Sequence, residues 1–296
     1  MNYSSRIAWL VLVSLAVAFS PLQAQAGEPS HPALWEVHGQ RGVAYLFGSI
    51  HILPPNVEWR APAIGDAIQR SKVFVFEIPN DATTQTRIAK LVSDQGELPA
   101  GASLRAMLSA NAQADYDSDL ALAHVSPREL DQKRPWLADL FLVMRNMAQE
   151  NASPVLGVDA MLMREATAGG KEIRYLETLD DQVGLIVPKD PKLELEEFEA
   201  DLKEFRSEKD EFGGLVSAWS QGDPDAIDRL LNSEFATHPA ARRALLDDRN
   251  RAWARKLETW LKEPKIFFIT VGAGHLAGKN SLVQMLREHG YRVDGP

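Results

Sequence analysis

The chain has 296 residues, 45% of them hydrophobic, enough to bury a sizeable core as one large or two small domains. Its 41 acidic residues against 32 Lys and Arg give a net charge of −9, which argues against nucleic acid as a partner. The absence of cysteine excludes disulfide staples, thiolate chemistry and a lipidated cysteine anchor.

At the N-terminus, Arg6 precedes the apolar stretch Ile7 to Phe19, followed by Pro21 and by Ala24-Gln25-Ala26 in the small-x-small form of a secretory cleavage site. Residues 1–26 therefore read as a signal peptide. The apolar stretch is short for a membrane span, which needs about 20 residues, so no stable span is expected after cleavage. Export of a cysteine-free chain of this size points to the bacterial periplasm.

Residues 27–296 read as one α/β domain. Val43-Ala44-Tyr45-Leu46-Phe47 has strand length and runs into Gly48-Ser49-Ile50-His51. Lys72 to Phe76 ends at Glu77, Pro154 to Val158 at Asp159, and Glu172 to Leu176 at Glu177. Leu195, Phe198, Leu202 and Phe205 then recur at helical spacing, with Glu194, Glu196, Glu197, Asp201 and Glu204 as an acidic outer face over residues 193–210. Gln221-Gly222-Asp223-Pro224 marks a break, and Ala241 to Lys262 reads as one long helix. Ile266 to Val271 is a second strand-length run into Gly-x-x-His, at Gly272-Ala273-Gly274-His275, and Tyr291-Arg292-Val293 stops at Asp294. This alternation predicts a central, mostly parallel sheet flanked by helices, with a helical insertion or cap around residues 180–262.

Ligands of such sheets bind outside the carboxyl ends of the strands, which singles out His51, Glu77, Asp159, Glu177 and His275. Two neutral imidazoles and one or two carboxylates in a dry cleft suit a divalent metal that activates water. His51, Glu77 and His275 are the candidate metal ligands, with Glu177 as a fourth ligand or the general base. Each also has a plainer reading, as a capping imidazole or a salt-bridged acid. Gly272 to Ala277 fits the dinucleotide pattern G-x-G-x-x-G/A, with Asp294 placed to suit, but only two residues follow Asp294 and the remaining strands of such a domain have no room. Gly278-Lys279-Asn280 lacks the first Gly and the Ser/Thr of a phosphate loop. With no G-x-S-x-G elbow and no H-E-x-x-H, a serine hydrolase is disfavoured. His31, His38, His124, His238 and His289 read as surface or packing residues.

The two Gly-x-x-His motifs, taken with Phe76-Glu77, Arg134-Pro135-Trp136, Gly157-Val158-Asp159, Leu176-Glu177-Thr178 with Gln182, and Arg249-Asn250, resemble the TraB/GumN family, which includes PrgY-like proteins and the TIKI proteases. The likeness spans nearly the whole chain after residue 26. It implies a fold related to erythromycin esterases and haem-binding ChaN proteins. It further implies metal-dependent hydrolysis of peptide bonds, with manganese, cobalt or zinc on His51, Glu77 and His275. By the same resemblance the helix bearing Arg249 and Asn250 faces the cleft, where Arg249 would stabilise an oxyanion or hold a substrate carboxylate and Asn250 would orient it. Without it, Arg249 would pair with Asp247 or Asp248 on a solvated face. The expected function is an exported hydrolase acting on a peptide or small molecule; the alternative is a non-catalytic periplasmic binder of a peptide, haem or a metal ion.

Overall fold

The computed structural model describes residues 30–205, 208–236 and 238–296, so the segment read as a signal peptide lies outside the described residues. Strands β1 (Leu34–His38), β2 (Val43–Ser49), β3 (Val73–Phe76), β4 (Glu172–Tyr175), β5 (Ile266–Gly272) and β6 (Arg292–Asp294) form one sheet in the order β4-β3-β5-β2-β1-β6. The pairs β4–β3, β3–β5 and β5–β2 are parallel, while β1 runs antiparallel to both β2 and β6. The carboxyl ends of β2, β5, β3 and β4 therefore share one edge.

The central strands are mostly apolar, Tyr45, Ser49 and Thr270 apart, because both faces of the sheet are covered. Tyr45, Phe47, Phe74, Phe76 and Phe268 pack on one side with Trp59, Trp219 and Leu231. Ala44, Leu46, Val73, Val75, Phe267 and Ile269 alternate with them onto the other side, under Trp253, Leu257 and Leu286. An aromatic chain from Phe74 through Phe268 and Phe47 to Trp59, with centroids 5.6–5.8 Å apart, ties three strands to the covering layer.

Several local expectations change. Pro154 to Val158 is not a strand: Pro154–Leu156 forms a 3₁₀ turn and Val158–Ala168 an α-helix, because proline removes a ladder donor and suits the start of a helical turn. Asp159 thus sits in the first turn of a helix rather than at a strand end. The acidic helix is Pro191–Glu204, and two of its acids face inward. Glu194 and Asp201 are buried, and Glu194 accepts from Arg134 Nη2 (2.5 Å) and from the backbone N–H of Trp136 (3.1 Å), placing a carboxylate at the N-terminus of the helix Pro135–Gln149. The stretch predicted as one long helix is α-helical at Pro239–Arg242, a π-helical turn at Arg243–Asp247, and α-helical again at Asp248–Trp260. Such wide turns gather at functional sites, and this one ends two residues before Arg249. Between β4 and β5 the chain is helical, including Leu179–Ile186, Glu208–Ser220 and Pro224–Phe235. Among the described residues no helix is long and apolar enough to cross a membrane.

Candidate functional site

Strands β2 and β5 pair in register with Ser49 opposite Gly272, so the two Gly-x-x-His segments leave the sheet side by side. On the other flank of β5, β3 delivers Glu77, and β4 delivers Glu177, whose backbone N–H donates to the Glu77 carbonyl (2.8 Å). Convergence is tight at Gly272. A Cβ there would lie 3.4 Å from Glu77 Oε1, 3.5 Å from His51 Nε2 and 3.6 Å from His275 Cδ2.

Each imidazole is held by its Nδ1. His51 Nδ1 lies 2.8 Å from Asp159 Oδ1, an oxygen that also accepts from the Ser49 hydroxyl (2.7 Å). His51 Nε2 is buried and has no hydrogen-bond partner among the described residues. Burial works to lower the His51 pKa, but the charge and hydrogen bond of Asp159, with Glu77 beyond, push it up to about 9. His275 behaves oppositely: burial and then the charges of Arg249 and His51 hold it well below the usual imidazole range, so it is neutral. Asn250 Nδ2 donates to the Asn280 carbonyl (2.9 Å), which turns its oxygen toward His275 Nδ1 (2.7 Å). His275 Nδ1 therefore carries the proton, and its Nε2 accepts from Arg249 Nη1 (3.0 Å).

Arg249 is buried beneath the strand ends. Its Nε donates to Glu177 Oε1 (2.8 Å), Nη1 to the Leu245 carbonyl and to His275 Nε2 (both 3.0 Å), and Nη2 to Glu77 Oε2 (2.6 Å) and Glu177 Oε2 (3.0 Å). A guanidinium has five N–H groups, and these contacts use all of them. Burial works against the charge, but Glu77 and Glu177 outweigh it and raise the Arg249 pKa further. The two carboxylates have further donors. Glu77 Oε1 accepts from the Gly272 N–H (2.7 Å) and Oε2 from Gln182 Nε2 (3.0 Å), while the Trp253 indole donates to Glu177 Oε1 (2.9 Å).

The seven residues singled out from the sequence, His51, Glu77, Asp159, Glu177, Arg249, Asn250 and His275, thus come together at one sheet edge. Arg249 turns inward, and it is Arg251 that pairs with Asp248. Sequence reasoning missed Ser49 and Trp253 as polar members of the site. Trp253 stands four residues after Arg249, on the same helix face, with its ring 4.6 Å from the guanidinium carbon and 4.3 Å from the His275 ring. That spacing is the available signal, obscured because Trp253 also reads as an ordinary apolar helix position.

The loop carrying His51 rests on Gly157, where a Cβ would meet the His51 carbonyl oxygen at 2.1 Å and its carbon at 2.6 Å. Backbone cannot rotate away as a side chain can. Gly157→Ala is expected to cost about 3 kcal/mol, the upper part of the overpacking range, and to shift the His51 ring resonances in NMR spectra. Unchanged stability and unchanged His51 resonances would show that the loop tolerates displacement.

The donor types present are ones a divalent metal takes, but in this conformation they are not arranged to hold one. Two imidazoles, each anchored through Nδ1 to a side-chain oxygen, and one carboxylate surround a space with no side chain of its own, and His51 Nε2 lacks a partner. In this conformation Arg249 takes up His275 Nε2 and Glu77 Oε2. Among the described residues no group of three or more His, Asp or Glu side chains is arranged to hold a metal ion.

The TraB/PrgY/gumN family model matches residues 33–295. The chain is 25% identical to metalloprotease TIKI2 of Danio rerio over 319 aligned positions, covering 88% of this chain and 60% of that protein. A shorter match, 42% identical over 55 residues, pairs 18% of the chain with 11% of metalloprotease TIKI1 of the same organism. The uncharacterized protein YbaP of Shigella flexneri is 22% identical, with 82% of this chain and 88% of YbaP covered. The chain spans less than two thirds of the length of the TIKI relatives. No solved structure matches it significantly.

Proposed function

Because the chain belongs to the TraB/PrgY/gumN family, we propose that it is an exported metal-dependent hydrolase of peptide bonds, with its reacting centre over Gly272. The observation that carries this reading is the approach of His51 Nε2, Glu77 Oε1 and the His275 ring to one point, together with the unpartnered His51 nitrogen. The TIKI relatives, which are metalloproteases by name, support it. The leader pattern of residues 1–26 and the absence of cysteine support export to the periplasm.

His51, Glu77 and His275 would hold the metal. When bound, it supplies a Lewis acid for the scissile carbonyl and a water acidic enough to ionise near neutral pH. Asp159, steadied by Ser49, aims the His51 ring, and Asn250 does the same for His275. Glu177 is the proton acceptor in this scheme, placed by Arg249 and Trp253 rather than free to swing. Arg249 bridges the two carboxylates. The Nη1 proton that His275 Nε2 now accepts is the one it could turn to a developing oxyanion.

Elemental mass spectrometry on protein purified without chelator tests the reading, followed by a peptide-library cleavage screen with manganese, cobalt and zinc. Wild type is expected to carry near-stoichiometric metal and to cleave, and His51→Ala and His275→Ala to lose both while keeping the wild-type circular dichroism spectrum. Retained turnover in either variant would defeat the proposal. A binder without turnover is the second reading, favoured by the full commitment of the Arg249 donors. Saturable peptide binding with no product would establish it.

A further inference from the structure

Gly278-Lys279-Asn280, too incomplete for a phosphate loop, carries the chain away from His275 as a tight turn in which the Ser281 N–H donates to the Gly278 carbonyl (3.2 Å). Gly278 has φ +80°, and the carboxylate of Asp228, from the helix Pro224–Phe235, fills the place a Cβ would take. Ser281 caps the helix Leu282–Glu288 by accepting from the Gln284 N–H (3.2 Å), which leaves the Asn280 side chain free of that duty. Asn280 Nδ2 donates instead to Asp247 Oδ2 (3.1 Å), at the end of the π-helical turn Arg243–Asp247. Asp247 is buried, and its Oδ1 lies 3.9 Å from Arg242 Nε, whose Nη2 in turn donates to Asp228 Oδ1 (3.4 Å). The loop after His275 is thus braced from both sides.

From this placement we infer that Asn280 is a positioning residue of the site, tying that loop to the π-helical turn that delivers Arg249 and Asn250; its effect on turnover rests on the peptide-hydrolase reading. Asp247 stands two residues before Arg249 and three before Asn250, so the bond it accepts sets the rotation of the turn from which both side chains leave. A carboxylate and a main-chain carbonyl only accept, and this fixes both amides. Asn280 must turn its nitrogen to Asp247, while Asn250 must turn its nitrogen to the Asn280 carbonyl (2.9 Å) and its oxygen to His275 Nδ1 (2.7 Å). A closed ring results, from His275 along the chain to Asn280, across to Asp247, and back through Asn250. Asn280 acts on it twice, through its side chain on the π-helical turn and through its carbonyl on the residue that orients His275. Every cross-link in the ring is a hydrogen bond, which imposes direction as well as distance.

The test is hydrogen exchange by NMR on the isotope-labelled full chain, with peptide cleavage measured in parallel. Asn280→Ala is expected to speed exchange of the His275 Nδ1 proton at least about tenfold, the worth of a hydrogen bond to a carboxylate, while the backbone N–H groups of Phe268 and Ile269 in β5 exchange as in wild type. In cleavage, kcat should fall about 10- to 100-fold with KM held within about twofold. Asn280→Asp sets two carboxylates at the same contact and should do both more strongly. The double variant Asp247→Asn, Asn280→Asp exchanges donor and acceptor and should recover most of the loss. If Asn280→Ala fails to fold by circular dichroism, Asp247→Ala breaks the same link from the other side and carries the test. Wild-type exchange and wild-type kcat in the folded single variants, or a double variant no better than Asn280→Asp, would overturn the positioning role. Failure of the hydrolase is separable. Wild type that cleaves no peptide, with the exchange pattern as expected, defeats the hydrolase and leaves Asn280 in its role, whereas cleavage undiminished in Asn280→Ala defeats the role of Asn280 alone.

Discussion

Arg249→Met is expected to destabilise the protein by about 3–5 kcal/mol, the cost of leaving buried charges without their partner. The guanidinium joins Glu77 and Glu177, both no more than 10% exposed at the side chain, to His275 and to the Leu245 carbonyl. Methionine fills much of the same volume, so the loss isolates the charge from the packing. Two neighbouring carboxylates would then face each other in a low-dielectric site with Gln182, Trp253 and the Gly272 N–H as their remaining donors among the described residues. Urea titration should show a lower midpoint with an unchanged slope. Glu177→Gln in the Arg249→Met background should recover part of the loss by removing one of the two charges. Arg249→Lys should not rescue fully, because three donors on one nitrogen cannot reach five acceptors spread around a planar fork. A destabilisation below about 1 kcal/mol, within the range of exposed ion pairs, would mean that the cluster is solvated rather than clamped.

Gly272→Ala should separate function from fold. The backbone at Gly272 has φ −50° and ψ 136°, a conformation open to any L-residue, and its N–H remains available to Glu77. The added methyl lies 3.4–3.6 Å from Glu77 Oε1, His51 Nε2 and His275 Cδ2, which is ordinary van der Waals contact. Stability is therefore expected to change by less than about 1 kcal/mol, with a small gain available from the restricted unfolded chain. The methyl nevertheless fills the space on which those side chains converge. Peptide cleavage should fall at least about 100-fold, as it does when reacting groups are displaced by about 1 Å, and bound metal should fall with it. Thermal melts, elemental analysis and cleavage rates on the same preparation check all three. Full activity and full metal in a folded Gly272→Ala protein would place the reacting centre elsewhere.

Much of this arrangement is legible before folding is considered. Runs such as Val43–Phe47 and Ile266–Val271 are apolar but for Tyr45 and Thr270, because strands covered on both faces leave little place for a polar residue, and that pattern marks buried parallel strands. Where such a run stops at His51, Glu77, Glu177 or His275, the first functional groups beyond the sheet share one edge by topology alone. Periodicity also marks the helices, since Leu195, Phe198 and Leu202 repeat at the pitch that lines one face.

Other features depend on contacts between distant residues and leave no local trace. Asp159 lies at a helix start rather than a strand end, yet reaches His51 108 positions earlier, because the Leu53–Ser153 bridge, the Val158 N–H on the Ile50 carbonyl and the packing of Gly157 under that loop bring them together. Glu194 reads as a solvated acid from its neighbours in sequence but is buried against Arg134, because helical periodicity cannot say which other element covers a face. Arg249 had near partners in Asp247 and Asp248 and took far ones, Glu77 and Glu177, once the π-helical turn and the strand order set it beneath the sheet edge. Composition and pattern determined which surfaces are buried, since burial is a property each residue carries. The pairing of charges inside that buried space belongs to tertiary structure, because it depends on distances that exist only after the chain has closed.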